Sequence, residues 1–151
     1  MKRARMVAFI FSAGALAQPQ SPSEAFPPAA TMKQLMVDLI HPASNDILLF
    51  VYRGGSKDDK EWAAVRRSAL TLAESGTLLM MPGRAPNPGN AQGEWMKDAK
   101  MLVDAGTAAY KAAQAKDAKA LAALAERLDA SCTACHKQYR PNVFPRDGGS
   151  K

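Results

Sequence analysis

Apolar residues recur at steps of three and four along most of this chain, which is the period of an amphipathic α-helix. The first such segment begins after Thr31, a residue type that caps helix N-termini, and ends at Gly54-Gly55. Because Pro42 lies inside it, we expect a kink or break near His41. The apolar positions are Met32, Leu35, Met36, Leu39 and Ile40 before the break, and Ile47, Leu48, Val51 and Tyr52 after it.

Two further helices follow. Ser56, with Asp59 three residues later, predicts the start of the second, which should end at Pro82. An irregular loop is expected from Pro82 to Gly93, and the third helix from about Glu94. The predicted buried positions are Trp62, Val65, Ala69, Leu72, Gly76 and Leu79 in the second helix, and Trp95, Ala99, Leu102, Gly106, Ala109 and Ala113 in the third.

Asp117 predicts the cap of a fourth helix, and Pro141 its end. No segment has the period of a strand, so the pattern indicates an all-α fold. Helices of this length joined by short loops predict an antiparallel up-down-up-down four-helix bundle over residues 31–141. The buried positions of the last helix are Leu121, Leu124, Leu128, Cys132, Cys135 and Tyr139.

The N-terminus carries an export signal. Three cations, at positions 2, 3 and 5, precede an apolar run from Met6 to Ala17 that ends in the cleavage pattern Ala15-Leu16-Ala17. Residues 1–17 are therefore predicted to be a signal peptide, 18–30 a mobile Pro-rich leader and 142–151 a frayed tail. The run is shorter than the about 20 residues that cross a bilayer, and no later segment is expected to cross one. The mature protein is predicted to be periplasmic, without stable membrane insertion.

Removal of that signal peptide lowers the net positive charge of the chain. The whole chain has 20 Lys and Arg against 14 Asp and Glu; without the three cations at positions 2, 3 and 5, 17 remain against 14. A surplus of three gives little support to a nucleic-acid partner.

The residues with the clearest chemistry are Cys132-Thr133-Ala134-Cys135-His136, the C-x-x-C-H attachment motif of c-type haem. Each thiol adds to one haem vinyl group. On a helix, Cys132, Cys135 and His136 share one face, so the imidazole can reach the iron from the side of the thiols. The motif predicts one covalent haem c, with His136 as the proximal iron ligand.

Other uses of the two thiols are less well supported. A thioredoxin-like dithiol needs a βαβ setting, and a structural zinc site lacks ligands, since only His41 remains outside the motif. A haem-free helical interaction protein with a Cys132 to Cys135 disulfide stays open as an alternative.

A haem motif on the last of four helices, with Arg140 four residues after His136, resembles the class II c-type cytochromes, the cytochrome c prime family and its six-coordinate relatives. The resemblance covers the chain from Thr31 to Arg140. It implies a single haem between the helices and a first-helix residue over the distal face. In six-coordinate members that residue is a methionine bonded to iron; in five-coordinate members it is apolar and leaves the iron open to gases.

Met36 is the favoured distal ligand, because Leu35-Met36 looks like the methionine position of six-coordinate members; Met32, at the helix start, is the second choice. His41 is a third candidate, more plausible as an exposed or capping residue at the break. Arg140 either places a cation near the imidazole or a propionate, or simply favours the helix C-terminus.

These expectations lead to an electron carrier that works with redox partner proteins and is not an enzyme. The alternative is a five-coordinate haem protein that binds nitric oxide or carbon monoxide, with Leu35, Leu39 or Ile40 over the iron. Pairing of two bundles into a homodimer is left open.

Overall fold

The computed structural model describes residues 27–56, 58–86, 91–140 and 142. The predicted signal peptide, most of the leader and nearly all of the predicted tail lie outside these residues. Within them the chain is mostly helical and contains no strand, so the all-α prediction is confirmed. The helices are α1, Met32–Tyr52; α2, Asp59–Leu79; α3, Ala91–Gln114; α4, Ala118–Ala123; and α5, Ala125–Tyr139.

The predicted start and end of α1 are confirmed. The Thr31 Oγ1 accepts a hydrogen bond from the Gln34 N–H at 3.2 Å, and the Gln34 side chain accepts one from the Thr31 N–H at 2.9 Å. This reciprocal pair satisfies two N–H groups at the helix start. At the other end Gly54 and Gly55 have φ of 82° and 80°, which suits glycine and stops the helix.

The helix does not break at His41, because α1 continues through Pro42; the kink that was the other expectation stays a prediction. The turn before it, Leu35–Ile40, is instead a π-helix, and the His41 N–H bonds the Met36 carbonyl oxygen five residues back. Pro42 has no N–H to give to a preceding carbonyl, and a widened turn accommodates that missing donor without ending the helix.

The apolar face of α1 also differs from the prediction beyond Pro42. Ile47 is buried as expected, but Tyr52 is 88% exposed and Phe50 is buried in its place. The Phe50 ring packs edge-on against Trp62 of α2, with the centroids 4.7 Å apart. The misassignment arises because the apolar run at residues 47–52 offers more than one helical stripe.

By length and composition alone, α1 could span a membrane, and it is the one helix in the described ranges that could. The expectation that no segment after the signal peptide would pass this test is therefore wrong. The core helix of a soluble protein passes it too, and α1 buries Leu35, Ile40, Ile47 and Phe50 against the rest of the core.

Close packing of α2 against α3 forms the centre of the core. A Cβ on Gly106 would lie 2.5 Å from the Ala73 backbone nitrogen, and one on Gly76 would lie 2.9 Å from that of Val103. These two contacts run in opposite order along the helices, so α2 and α3 are antiparallel. The predicted stripes of both helices are buried: Trp62, Val65, Ala69, Leu72, Gly76 and Leu79 in α2, and Trp95, Ala99, Leu102, Gly106, Ala109 and Ala113 in α3.

Three helix boundaries differ from the prediction. Asp58, not Ser56, caps α2, since its carboxylate accepts the Lys60 N–H at 2.8 Å while the Ser56 Oγ accepts the Asp58 N–H. The third helix begins at Ala91, earlier than Glu94. Asp117 caps α4 as predicted. The predicted fourth helix, however, is divided into α4 and α5 at Leu124, whose N–H donates to the Leu121 carbonyl oxygen in a tighter turn.

Candidate haem-binding site

The attachment motif lies on α5, which is held in place from its buried side. Leu128 and Ser131 are buried, and the Ser131 hydroxyl donates to the Leu128 carbonyl oxygen at 2.7 Å. The three motif side chains Cys132, Cys135 and His136 are only half-buried. They are partly exposed because this face of α5 borders a cavity and is not packed against the core.

That cavity has a volume of about 420 Å³ and is larger than a second one beside it. This is within the usual range for sites that hold a small molecule or cofactor. The wall is formed by α1, the end of α2, α3 and α5, and most of its surface is apolar. Its lining includes Met36, Val37, Ile40, Leu48, Leu79, Leu102 and Leu128, together with Cys132, Cys135 and His136.

A second, smaller cavity of about 370 Å³ lies between the start of α1, the turn after α2 and the end of α5. It is more polar, and Arg84 and Arg140 both line it. Three residues belong to both cavities: Met36, Cys135 and His136. The two spaces therefore adjoin at one thiol, the imidazole and the thioether.

The distal candidates differ in position. Met32 and Met36 are both half-buried, but Met32 lines only the smaller cavity. His41 is exposed, as expected, and lines only the larger one. Met36 is thus the one of the three that lies at the junction with His136.

The apolar candidates of the five-coordinate alternative are also separated. Ile40 lines the larger cavity, whereas Leu35 is buried in the core and Leu39 is partly exposed, and neither lines the two cavities.

The environment favours a neutral imidazole and neutral thiols in the haem-free chain. Burial, and then the nearby Arg140 cation, lower the pKa of His136. Burial raises the pKa of Cys135 to about 12, with further contributions from Asp98 and Cys132. Burial likewise raises the pKa of Cys132. Neutral imidazole is the form that binds a metal. The two thiols are not bonded to each other.

Arg140 and Tyr139 end the helix beside the smaller cavity. The Arg140 N–H bonds the His136 carbonyl oxygen at 2.8 Å, so Arg140 is at the helix C-terminus and near the imidazole at once. Arg140 therefore has both positions that were considered for it, while its interaction with a propionate stays a prediction. Tyr139 packs edge-on against Trp95, with the centroids 4.9 Å apart, and the Trp95 indole N–H donates to the Leu79 oxygen at 2.7 Å.

Two buried charged residues at the cavities were missed by the sequence analysis. Asp98 is 7% exposed and lines the larger cavity; its Oδ2 has no hydrogen-bond partner among the described residues. Arg84 is 8% exposed and lines the smaller one. The burial of Asp98 could have been predicted from the sequence. Asp98 lies between Trp95 and Ala99, which were predicted to be buried, and one helical turn before Leu102, which was also predicted to be buried. Nothing in the sequence around Arg84 indicates burial.

These residues fit a covalent haem. Two thiols and an imidazole lie one turn apart at the wall of an apolar cavity, and a thioether lies at the same wall. A buried cation lines the adjoining space, which suits a group that is apolar at its centre and carries acids at its edge. Across the described ranges, no cluster of three His, Cys, Asp or Glu side chains could bind a metal ion directly. Comparison with models of known protein families, with curated proteins and with solved structures finds no significant match.

Proposed function

We propose that this protein is a monohaem c-type cytochrome of the class II kind, an exported electron carrier with His136 and Met36 as the axial ligands of a covalent haem c. The observation that supports this most strongly is the junction of the two cavities. The predicted proximal imidazole, one attachment thiol and the favoured distal thioether all lie there.

Each residue has a defined task. Cys132 and Cys135 form the thioether links, and α5 presents His136 from the same face. Met36, on the π-helical turn of α1, supplies a soft sulfur ligand, which favours the reduced metal. The apolar wall from Ile40, Leu102 and Leu128 excludes water. Haem, when bound, supplies the Fe(III)/Fe(II) couple that accepts and donates one electron.

The wider setting belongs to the same proposal. The helices form an antiparallel up-down-up-down bundle, the chain is exported to the periplasm, and its partners are redox proteins. No enzymatic step is included, because electron transfer through a filled coordination shell needs no acid, base or nucleophile.

The test begins with the full chain exported in a bacterium that attaches haem c. We expect a mass increase of one haem, visible absorbance that survives denaturation, and a reversible one-electron reduction. The matched control is the double variant Cys132→Ala/Cys135→Ala, which should retain the helical circular dichroism and lose covalent haem. A haem-free wild-type protein with an oxidised Cys132–Cys135 pair would contradict the proposal and favour the helical interaction protein.

The reduced protein should be low-spin and resist carbon monoxide. If it is high-spin and binds the gas readily, the five-coordinate alternative replaces electron transfer. Val37, Ile40 and Leu48 are then the aliphatic residues of α1 available at the larger cavity.

A further inference from the structure

Arg84 is a buried cation that has no acidic partner in the described part of the chain. It lies in the turn that follows α2, and only 8% of its surface is exposed. One of its nitrogens, Nη1, donates to the Ala30 carbonyl oxygen at 2.7 Å. Among the residues that the structure describes, none accepts a hydrogen bond from its Nε, and no carboxylate forms a salt bridge with it.

Such an arrangement is costly by itself. An arginine stays protonated at all accessible pH values, so burial cannot neutralise it. A buried charge without an opposite charge loses hydration that one hydrogen bond to a carbonyl recovers only in part. An anion next to the buried Nε, which has no hydrogen-bond partner among the described residues, would compensate the charge.

The position of Arg84 indicates where that anion comes from. Its side chain lines the smaller cavity, which adjoins the larger one at Met36, Cys135 and His136. Arg140 lines the same smaller cavity, so two cations border it. Among the described residues that line it there is no Asp or Glu. The occupant of the cavity is therefore the source we infer for the anion.

We propose that Arg84 binds a carboxylate of the occupant, a propionate of the covalent haem, and that its unpartnered Nε donates one of the hydrogen bonds. This inference rests on the proposed function. A guanidinium matches a carboxylate with paired donors, and hydrogen bonds between charged groups are about twice as strong as neutral ones. The bond to Ala30 holds the guanidinium in place and links the segment before α1 to the site.

The competing role is structural, in which Arg84 does no more than link Ala30 to the turn after α2. Arg84→Gln separates the two roles when it is made both in the haem-loaded protein and in the Cys132→Ala/Cys135→Ala background. Arg53→Gln is the matched control, because the Arg53 Nε also donates to a backbone carbonyl, that of Leu49 at 3.2 Å, but Arg53 is exposed and lines neither cavity.

Denaturant unfolding and reduction potential are measured for each variant. If Arg84 binds a propionate, Arg84→Gln should raise the unfolding constant of the haem-loaded protein by about tenfold or more beyond its effect on the haem-free protein. It should also lower the reduction potential, because a nearby cation stabilises the reduced, less positive iron centre. Arg53→Gln should do neither.

Equal destabilisation with and without haem, at an unchanged potential, would overturn the inference while leaving the proposed function intact. A wild-type protein without covalent haem would overturn both. If Arg84→Gln fails to fold, Arg84→Lys keeps the charge and loses the paired donors. The potential should then stay near the wild-type value while the propionate bending band in the resonance Raman spectrum shifts; an unmoved band would count against propionate binding.

Discussion

Met36 and His136 line the same two cavities, although one lies near the start of the first helix and the other near the end of the last. Met32, one turn before Met36, reaches only the smaller cavity. The chain thus brings one thioether, not two, to the junction beside the imidazole. This relationship makes the two methionines a matched pair for experiment.

Met36→Ala should convert the haem-loaded protein from low-spin to high-spin, while Met32→Ala should leave it low-spin. The apparent affinity of Met36→Ala for carbon monoxide should rise at least about tenfold, because the gas no longer competes with an internal ligand. The visible spectrum of the reduced protein and a carbon monoxide titration measure both effects. If Met32→Ala shows the change and Met36→Ala does not, the ligand assignment is reversed.

Pro42→Ala tests whether the π-helical turn positions Met36. The new N–H allows residues 35–40 to form ordinary α-helical bonds, which would turn Met36 by about 100° relative to the helix after Pro42. We expect a larger high-spin fraction in the haem-loaded protein, together with unchanged or greater stability of the haem-free protein. Absorbance spectra and thermal unfolding measure these changes.

Pro82→Ala is the control for that experiment, since Pro82 lies outside the helices, in the turn after α2. A Pro42→Ala protein that stays fully low-spin would show that burial of Leu35 and Ile40, and not the missing N–H, holds the widened turn.

The small-residue contact between α2 and α3 predicts a sharp difference between two glycines. Gly106→Ala places a Cβ 2.5 Å from the Ala73 backbone nitrogen, and a backbone atom cannot move aside as a flexible side chain can. We expect the free energy of unfolding to fall by about 1–3 kcal/mol. Gly93→Ala, with no atom within 4 Å of the new Cβ, should raise it by up to about 1 kcal/mol. Urea unfolding of both variants gives the comparison, and a Gly106→Ala protein as stable as wild type would show that α2 and α3 can separate at little cost.

The success and failure of the sequence analysis have physical reasons. Local rules were enough to predict the caps Thr31 and Asp117 and the buried stripes of α2 and α3. A cap and a helical period both depend only on residues that are close in the sequence. The π-helical turn was missed because a proline in a helix can be accommodated in more than one way, and packing of Leu35 and Ile40 helps decide which. Asp58 and Ser56 are both capping residue types, so the sequence did not distinguish them.

At the candidate site, too, the residues that local spacing indicates were predicted, and those whose burial depends on distant parts of the chain were missed. The grouping of Cys132, Cys135 and His136 could be predicted because their spacing is local, and the structure places all three at one cavity. The burial of Arg84 depends on Ala30, far away in the chain, and on the end of α5. No local pattern carries that information.

Asp98 contributes a pH dependence to the stability of the haem-free protein in the acid range. Burial, followed by the nearby Glu94, raises the pKa of this carboxyl above 3.8, with Lys97 opposing. The folded chain therefore holds a proton that the unfolded chain has released, in the window between 3.8 and the raised folded value. The contribution of Asp98 to the free energy of unfolding must therefore decrease as the pH rises through that window. Above the raised folded pKa this contribution has reached its lowest value.

Asp98→Asn removes this titration while keeping the shape of the side chain. In the Cys132→Ala/Cys135→Ala background it should stabilise the protein at neutral pH, and the gain should shrink as the pH falls towards 3.8. Asp129→Asn, an exposed acid at the same cavity, should change the free energy of unfolding by less than about 0.5 kcal/mol. Urea unfolding across the acid range measures both variants. If the stabilisation by Asp98→Asn does not vary with pH, it must come from hydrogen bonds of the new amide. The charge of the buried carboxyl would then not oppose folding.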